Sequence, residues 1–300
     1  MTSIIGALIV MGAVVGGFIF AGGKPAALFQ IAEFIVIGGA ALGSVLIANP
    51  PSMVMTTFKG MLEIFRGDPY KKDSYLELLR AIFELGQLAR REGVLAIEHH
   101  IEHPDESDLF DRFPGLMGNA QAMEFLTDGM RSVIAGAAGK YELAEMLDTD
   151  IEGRRREEMK VTDILARLGD SMPGFGIVAA VLGVVITMGS IGGAPEEIGH
   201  HVAAALVGTF LGVLLAYGVF NPLAAASGSL VEGKTRYLEV IKIGIIGLQE
   251  GQNPRSCTEA ARLSIDPGIR PTQRELEEHI ASATARPAPG QAQEGLPKAA

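Results

Sequence analysis

The sequence holds 300 residues with a net charge of −10, and 48% of its side chains are hydrophobic against 20% charged. A mean hydropathy of +0.29 and 38 glycines argue against a soluble chain, and the acidic balance argues against a nucleic-acid partner. The single cysteine, Cys257, excludes a disulfide framework, and no nucleophile–base set or phosphate-binding loop points to an enzyme.

The apolar residues gather in four blocks, Ile4–Ala21, Phe29–Ala48, Pro173–Gly189 and Val202–Phe220. Each runs to about 17–20 residues, enough for a helix to cross a ~30 Å hydrocarbon core. The first block lacks Lys or Arg ahead of it and is followed at once by "GGKPAAL" (22–28), so it reads as a retained span and not as a cleaved leader. Of 25 basic residues, Lys24 alone falls between blocks one and two, and none falls in "IGGAPEEIGH" (191–200). The positive-inside rule then puts residues 51–171 and 221–300, with both termini, in the cytoplasm, and both short hairpins outside.

These observations predict an all-α membrane protein with four transmembrane helices in two hairpins and a helical cytoplasmic domain between spans two and three. Residues 1–50 form the first hairpin, 51–170 the cytoplasmic domain, 171–225 the second hairpin, and 226–283 further cytoplasmic helices. In the cytoplasmic domain, residues 74–104 carry apolar positions at helical spacing, with an interruption at Gly93 and an end at Pro104. Residues 119–159 read as helix with a break near Gly136–Gly139, and 160–170 lead into span three. Helices are also expected at 229–251 and 270–283. The tail 284–300, "TARPAPGQAQEGLPKAA", lacks the apolar content to order itself.

Spans three and four carry stripes of small residues: Gly176, Ala179, Ala180 and Gly183 in one, Ala205, Gly208, Thr209 and Gly212 in the other. Such faces let backbones approach closely, against each other or against another helix. Thr209 lies on its stripe. Tyr217 suits an interfacial anchor. Ion-carrying proteins generally hold an ionisable group inside the membrane, yet only span two has one, Glu33, about one turn from its outer end, within reach of the headgroups. The chain therefore carries no ion or borrows a carboxylate from a partner helix. His99, His100 and His103 lie on one stretch with Glu98 and Glu102, but two ligands on an exposed helix make no stable metal site, and none is assigned. Pro173 and Pro222 stand at the cytoplasmic ends of spans three and four, where they start or bend helices.

The stretches "GDSMPGFGIVAAVLGVV" (169–185), "LVGTFLGVLLAYGVFNPLA" (206–224), "QIAEFIVIGGAALGS" (30–44), "LARREGVLAIEHHIEHPDES" (88–107) and "RPTQRELEEHI" (270–280) resemble the MotA family of flagellar motor stator proteins, within the MotA/TolQ/ExbB group. The resemblance implies an inner-membrane subunit, five copies of which surround a dimer of a single-span, peptidoglycan-anchored MotB-type partner that supplies the membrane aspartate. Ion flow then drives the rotor through its protein FliG. By the same resemblance Pro173 and Pro222 are the coupling prolines, Arg90 and Glu98 the charged pair facing the rotor, and Ala180, Thr209 and Tyr217 belong to the ion path. A spacing of eight turns Arg90 and Glu98 by about 80° on an ideal helix, so both fit one broad face. Ala180 stands where sodium-driven relatives carry threonine. The loss of that oxygen ligand favours protons over sodium, and no other cofactor is implied. Thr187 leaves that choice of ion open to test. The alternatives are an ExbB/TolQ-type energiser of envelope transport, whose members typically show three spans, and a membrane scaffold that moves no ion.

Overall fold

The computed structural model describes residues 2–136, 138–189, 191–192 and 194–284, and among them there is no strand. Twelve α-helices follow in order: α1 (Thr2–Phe20), α2 (Ile31–Ala48), α3 (Pro51–Arg66), α4 (Lys72–Glu92), α5 (Glu98–Glu102), α6 (Pro114–Met117), α7 (Ala120–Ile134), α8 (Lys140–Gly189), α9 (Pro195–Leu215), α10 (Asn221–Gln249), α11 (Pro254–Leu263) and α12 (Gln273–Thr284). Residues 285–300, most of the expected tail, lie outside the described residues.

Glycine and proline set many of the boundaries. Gly93, Gly136 and Gly251 take φ values of +91°, +61° and +63°, a left-handed conformation that only glycine adopts cheaply. They follow α4, α7 and α10, the first two at the breaks expected from sequence. Pro51, Pro114, Pro195 and Pro254 open α3, α6, α9 and α11, where a missing N–H costs nothing.

Three stretches are long and apolar enough to cross a membrane: Pro25–Ala48, the apolar part of Lys140–Gly189, and Pro195–Gln249; Ile4–Phe20 is a shorter apolar helix. The chain divides into two compact units, one drawn from residues 1–68 and 154–232, the other from 69–153 and 233–300, with the divisions falling inside α8 and α10.

The first unit holds the apolar helices. Ile37 and Ala41 of α2, Met172 and Ala179 of α8, and Leu211 of α9 pack with Ala216 into one buried cluster. A second cluster joins Ile64 of α3, Val161 and Leu165 of α8, and Leu223 and Ala224 of α10. Thr162 and Ser227 share a hydrogen bond of 2.8 Å beside it. Much of the remaining apolar surface is exposed, including Leu8, Ile9, Ile35, Ile47 and Val185, as suits helices whose solvent is lipid.

The second unit is built around a hydrophobic core. Its α4 buries Tyr75, Leu78, Leu79, Ile82, Phe83 and Leu85. Gly86 and Gly244 make room for neighbouring side chains: a Cβ on Gly86 would lie 3.2 Å from the Pro254 ring, and one on Gly244 2.9 Å from the Ile82 side chain. Tyr237 packs between Tyr70 and Tyr75 at ring distances of 5.1 and 5.4 Å, and burial pushes its phenol far up. The Glu77 carboxylate accepts from the N–H groups of Gly115 and Leu116 at 2.7 and 3.1 Å, capping α6. Thr272 and Glu275 exchange side-chain-to-backbone bonds at the start of α12, a capping box. Bonds from Lys72 and Thr272 hold the Glu275 carboxyl down at about 2.

The lone Cys257 is buried in this unit, its thiol 3.6 Å from the Gly244 carbonyl oxygen. Desolvation pushes the thiol up to about 11, so at pH 8 it is protonated and shielded. Because the thiolate is the nucleophile, a maleimide at pH 8 should leave the folded protein unlabelled over an interval that fully labels the denatured chain. Equal labelling rates would contradict this packing.

Candidate functional site

The small stripes of α8 and α9 close on each other. A Cβ on Gly176 would lie 2.7 Å from the Gly208 carbonyl oxygen and 3.1 Å from Gly212 Cα. One on Gly212 would lie 2.6 Å from the Met172 carbonyl oxygen, and one on Gly183 2.6 Å from the Ala205 Cβ. No side chain fits between backbones this close, and both helices need glycine here. The small faces are thus spent on the contact between α8 and α9 of one chain.

The two span hydroxyls differ in consequence. Thr187 is 6% exposed, and its hydroxyl donates to the Gly183 carbonyl at 2.8 Å. It is satisfied by the turn behind it, which gives the residue a structural account. Thr209 is half-buried, its Cα 3.3 Å from where a Gly176 Cβ would stand. Among the described residues its hydroxyl has no hydrogen-bond partner. Ala180, next to the buried Ala179, is half-buried, while Tyr217 is 68% exposed.

Glu33 does not reach outward. It is 6% exposed, and its Oε2 is buried without a hydrogen-bond partner among the described residues. Gly208 provides the space: a Cβ there would run into Glu33 Oε2 and stand 3.1 Å from the Ala179 Cβ. Sequence reasoning placed this carboxyl near the headgroups because hydropathy gives depth along a helix but not the face. The signal that finds it is Gly208, a residue with no bulk opposite a long acidic side chain.

The prolines mark two breaks in helical bonding. Pro222 has no N–H for the Gly218 carbonyl, and its ring crowds that carbonyl. The preceding turn, Ala216–Phe220, is π-helical, with the Asn221 N–H donating to the Ala216 carbonyl. Pro173 lies inside α8 and likewise offers no N–H to the Gly169 carbonyl. Gly169 packs against Asn221, whose Oδ1 occupies the space of a Cβ. The two breaks therefore meet side to side.

In the other unit, Arg90 and Glu98 are both exposed, and neither has an ion-pair partner among the described residues. They do not share a helix. Arg90 lies in the last turn of α4, Gly93 turns the chain, residues Val94–Ile97 form a 3₁₀ turn, and Glu98 opens α5. The ideal-helix angle between them does not apply, because a residue at φ +91° ends helical phase. Leu95, between them, is exposed. His99 and His103 stand with rings 5.7 Å apart, and His100 Nδ1 lies 2.9 Å from Ser107 Oγ. No group of three or more His, Cys, Asp or Glu among the described residues is placed to hold a metal ion.

Residues 4–93 match the model of the motility protein A N-terminal region, and residues 118–240 that of the MotA/TolQ/ExbB proton channel family. Motility protein A of Salmonella typhimurium is 36% identical over 280 residues, covering 93% of this chain and 95% of the relative. Motility protein A of Escherichia coli is 35% identical over the same shares. Chemotaxis protein LafT of Vibrio parahaemolyticus is 34% identical, covering 94% of this chain and 99% of the relative. Among solved structures, C. jejuni MotAB aligns with a TM-score of 0.75 at 21% identity, over 91% of this chain and 98% of that one. The Bacillus subtilis MotAB stator complex aligns at 0.71 and 24%, over 86% of this chain and 92% of that one.

The Glu33–Gly208 contact has a direct test. Gly208→Ala should lower the thermal midpoint by the equivalent of about 1–3 kcal/mol, the usual cost of overpacking. Adding Glu33→Ala should recover part of the loss. A double-mutant cycle with no coupling would contradict the contact.

Proposed function

The chain belongs to the motility protein A family and is a stator subunit of the bacterial flagellar motor, and from that premise we propose how its residues divide the work. The match over residues 4–93 is to a motility model, which sets aside the ExbB/TolQ alternative. Several copies, five by resemblance, surround a MotB-type partner dimer in the inner membrane. Each crosses four times, through α1, α2, the apolar end of α8, and α9 with the following π turn. The basic residues outside the two short hairpins put both termini in the cytoplasm.

The observation that carries the reading is the state of the span pair. Its glycine faces are closed on each other, and Thr209 is left with a hydroxyl that nothing among the described residues satisfies. A half-buried hydroxyl in lipid seeks a partner, and the carboxylate of a MotB-type helix is the natural one. Thr209 borders the ion path, with Ala180 as an apolar wall and Tyr217 at its cytoplasmic side. Glu33, behind Gly208, is a second carboxyl near the same level. Ala180 supplies no oxygen ligand, so the coupling ion is the proton and sodium is disfavoured.

Protonation of the partner's carboxylate changes what it bonds to and where it rests. Differential contact in the two states shifts the subunit ring. Pro173 and Pro222 pass the shift on because each removes a backbone bond where its span ends, and Gly169 and Asn221 make the two ends move together. Arg90 and Glu98 meet the rotor protein FliG. Exposed charges without intrachain partners bind and release quickly, and salt weakens them.

Cells carrying Pro173→Leu or Arg90→Glu should build flagella and swim poorly, with speed reduced severalfold. Normal swimming in both would contradict the division of roles. Swimming speed should follow the proton gradient and ignore sodium when the two are varied separately. Speed that follows sodium would overturn the reading of Ala180.

A further inference from the structure

We propose that the cytoplasmic border of spans two and three holds a binding site for the headgroup of a zwitterionic aminophospholipid, one whose phosphate is esterified to an alcohol that carries a free primary amine. The inference rests on the membrane orientation given above and on no step of the motor mechanism.

A cavity of about 310 Å³ lies where α2 ends and α8 approaches Pro173. Its apolar wall is Val45, Ala48, Ile164 and Leu168, and its polar lining is Ser44, Asn49, Arg167, Asp170 and Ser171. The volume is at the lower end of what small-molecule sites offer, enough for a headgroup and the start of its chains. The wall continues into exposed apolar surface on α2, where Ile47 is 91% exposed. Hydrocarbon beside a polar pocket is the setting of a headgroup with its chains attached.

The lining selects the headgroup. Arg167 and Asp170 are three residues apart on one helix, both exposed, and among the described residues neither has an ion-pair partner. Two opposite charges that share a cavity but do not pair with each other fit a ligand that carries both. Arg167 is the one strong donor, with a fork of N–H groups shaped for a phosphate. The remaining capacity is mainly for accepting, with one N–H of Asn49 Nδ2 left to donate beside it. Ser44 and Ser171 already donate their hydroxyl protons, to the Ala41 carbonyl at 2.7 Å and the Arg167 carbonyl at 2.7 Å. Asn49 donates Nδ2 to the Val45 carbonyl at 2.9 Å. That leaves the Asp170 carboxylate, Asn49 Oδ1 and two hydroxyl oxygens as acceptors, which a primary ammonium with three N–H groups satisfies. A quaternary ammonium has no N–H to give. An anionic headgroup leaves Asp170 unpaired and repelled, as does free phosphate.

The test uses the full complex with its partner, delipidated and offered short-chain phosphatidylethanolamine, phosphatidylcholine and phosphatidylglycerol, with retention per chain read by native mass spectrometry. The amine lipid should be retained at least about tenfold better than the other two, the discrimination expected of a charge-assisted hydrogen bond. Asp170→Asn should abolish that preference, and Arg167→Gln should reduce retention of all three. Both side chains are exposed, so both variants should keep the wild-type melting temperature, and the amine lipid should raise it in the wild type alone. Equal retention of the three lipids, or retention unaffected by either substitution, would overturn the proposal. Displacement of the lipid by soluble phosphoethanolamine at equal concentration would assign the site to a soluble ligand. Protection of Ser171→Cys from a maleimide in the fully delipidated complex would assign the cavity to a neighbouring chain. Labelling of that cysteine from outside intact cells would refute the orientation and leave the binding result standing, and the buried Cys257 adds no background.

Discussion

The close backbone approach of α8 and α9 through Gly176, Gly183, Gly208 and Gly212 is the interaction on which the membrane half of this protein depends. Lipid tails are as apolar as leucine, so no hydrophobic drive brings spans together, and association rests on close packing and a few hydrogen bonds. At Gly176 and Gly212 the packing is backbone on backbone at distances that admit no Cβ, and Gly183 and Gly208 make room for the Ala205 and Ala179 Cβ atoms. That geometry fixes which face of each helix is spent inside the chain and which face is left. It buries Glu33 behind Gly208 and leaves the Thr209 hydroxyl for something outside. The glycines that weaken the helices in isolation are what make the pair possible.

The same closure carries through to the ends of these helices that hold the prolines. Gly169 can approach Asn221 only because it has no side chain, and each of these residues precedes or opposes a proline that interrupts helical bonding. A π turn before Pro222 widens the helix where it would otherwise clash. The polar unit is stabilised differently. Its core is conventional hydrophobic burial around α4, with carboxylate caps on helix starts. Charges with structural duties, such as Glu77 and Glu275, are fully engaged. Arg90 and Glu98, which have no such duty, have no ion-pair partner among the described residues.

The apolar helices, the breaks at Gly93 and Gly136, and the helices near 229–251 and 270–283 were legible because hydropathy and backbone chemistry are local properties. Faces were less so. The small stripes were visible, but the choice of neighbour is a property of packing, and sequence left open whether α8 and α9 faced each other. Glu33 was placed by depth and missed by direction. Arg90 and Glu98 were put on one helical face across the glycine that breaks it, an inconsistency within the sequence itself. The helix Pro254–Leu263 was not anticipated, because it is short and its burial against α4 depends on Gly86, far away in the chain. The π turn follows from Pro222, yet proline announces only a break and not its form.

If the small faces are closed within each chain and the path borders Thr209, the polypeptide alone is a closed wall and ions pass only when a partner helix brings its carboxylate. Proton flux into vesicles holding this chain alone, compared with vesicles holding it together with an unplugged MotB-type partner, measures that directly. The account predicts background flux for the chain alone and a clear increase with the partner. Brisk flux through the chain alone would contradict it.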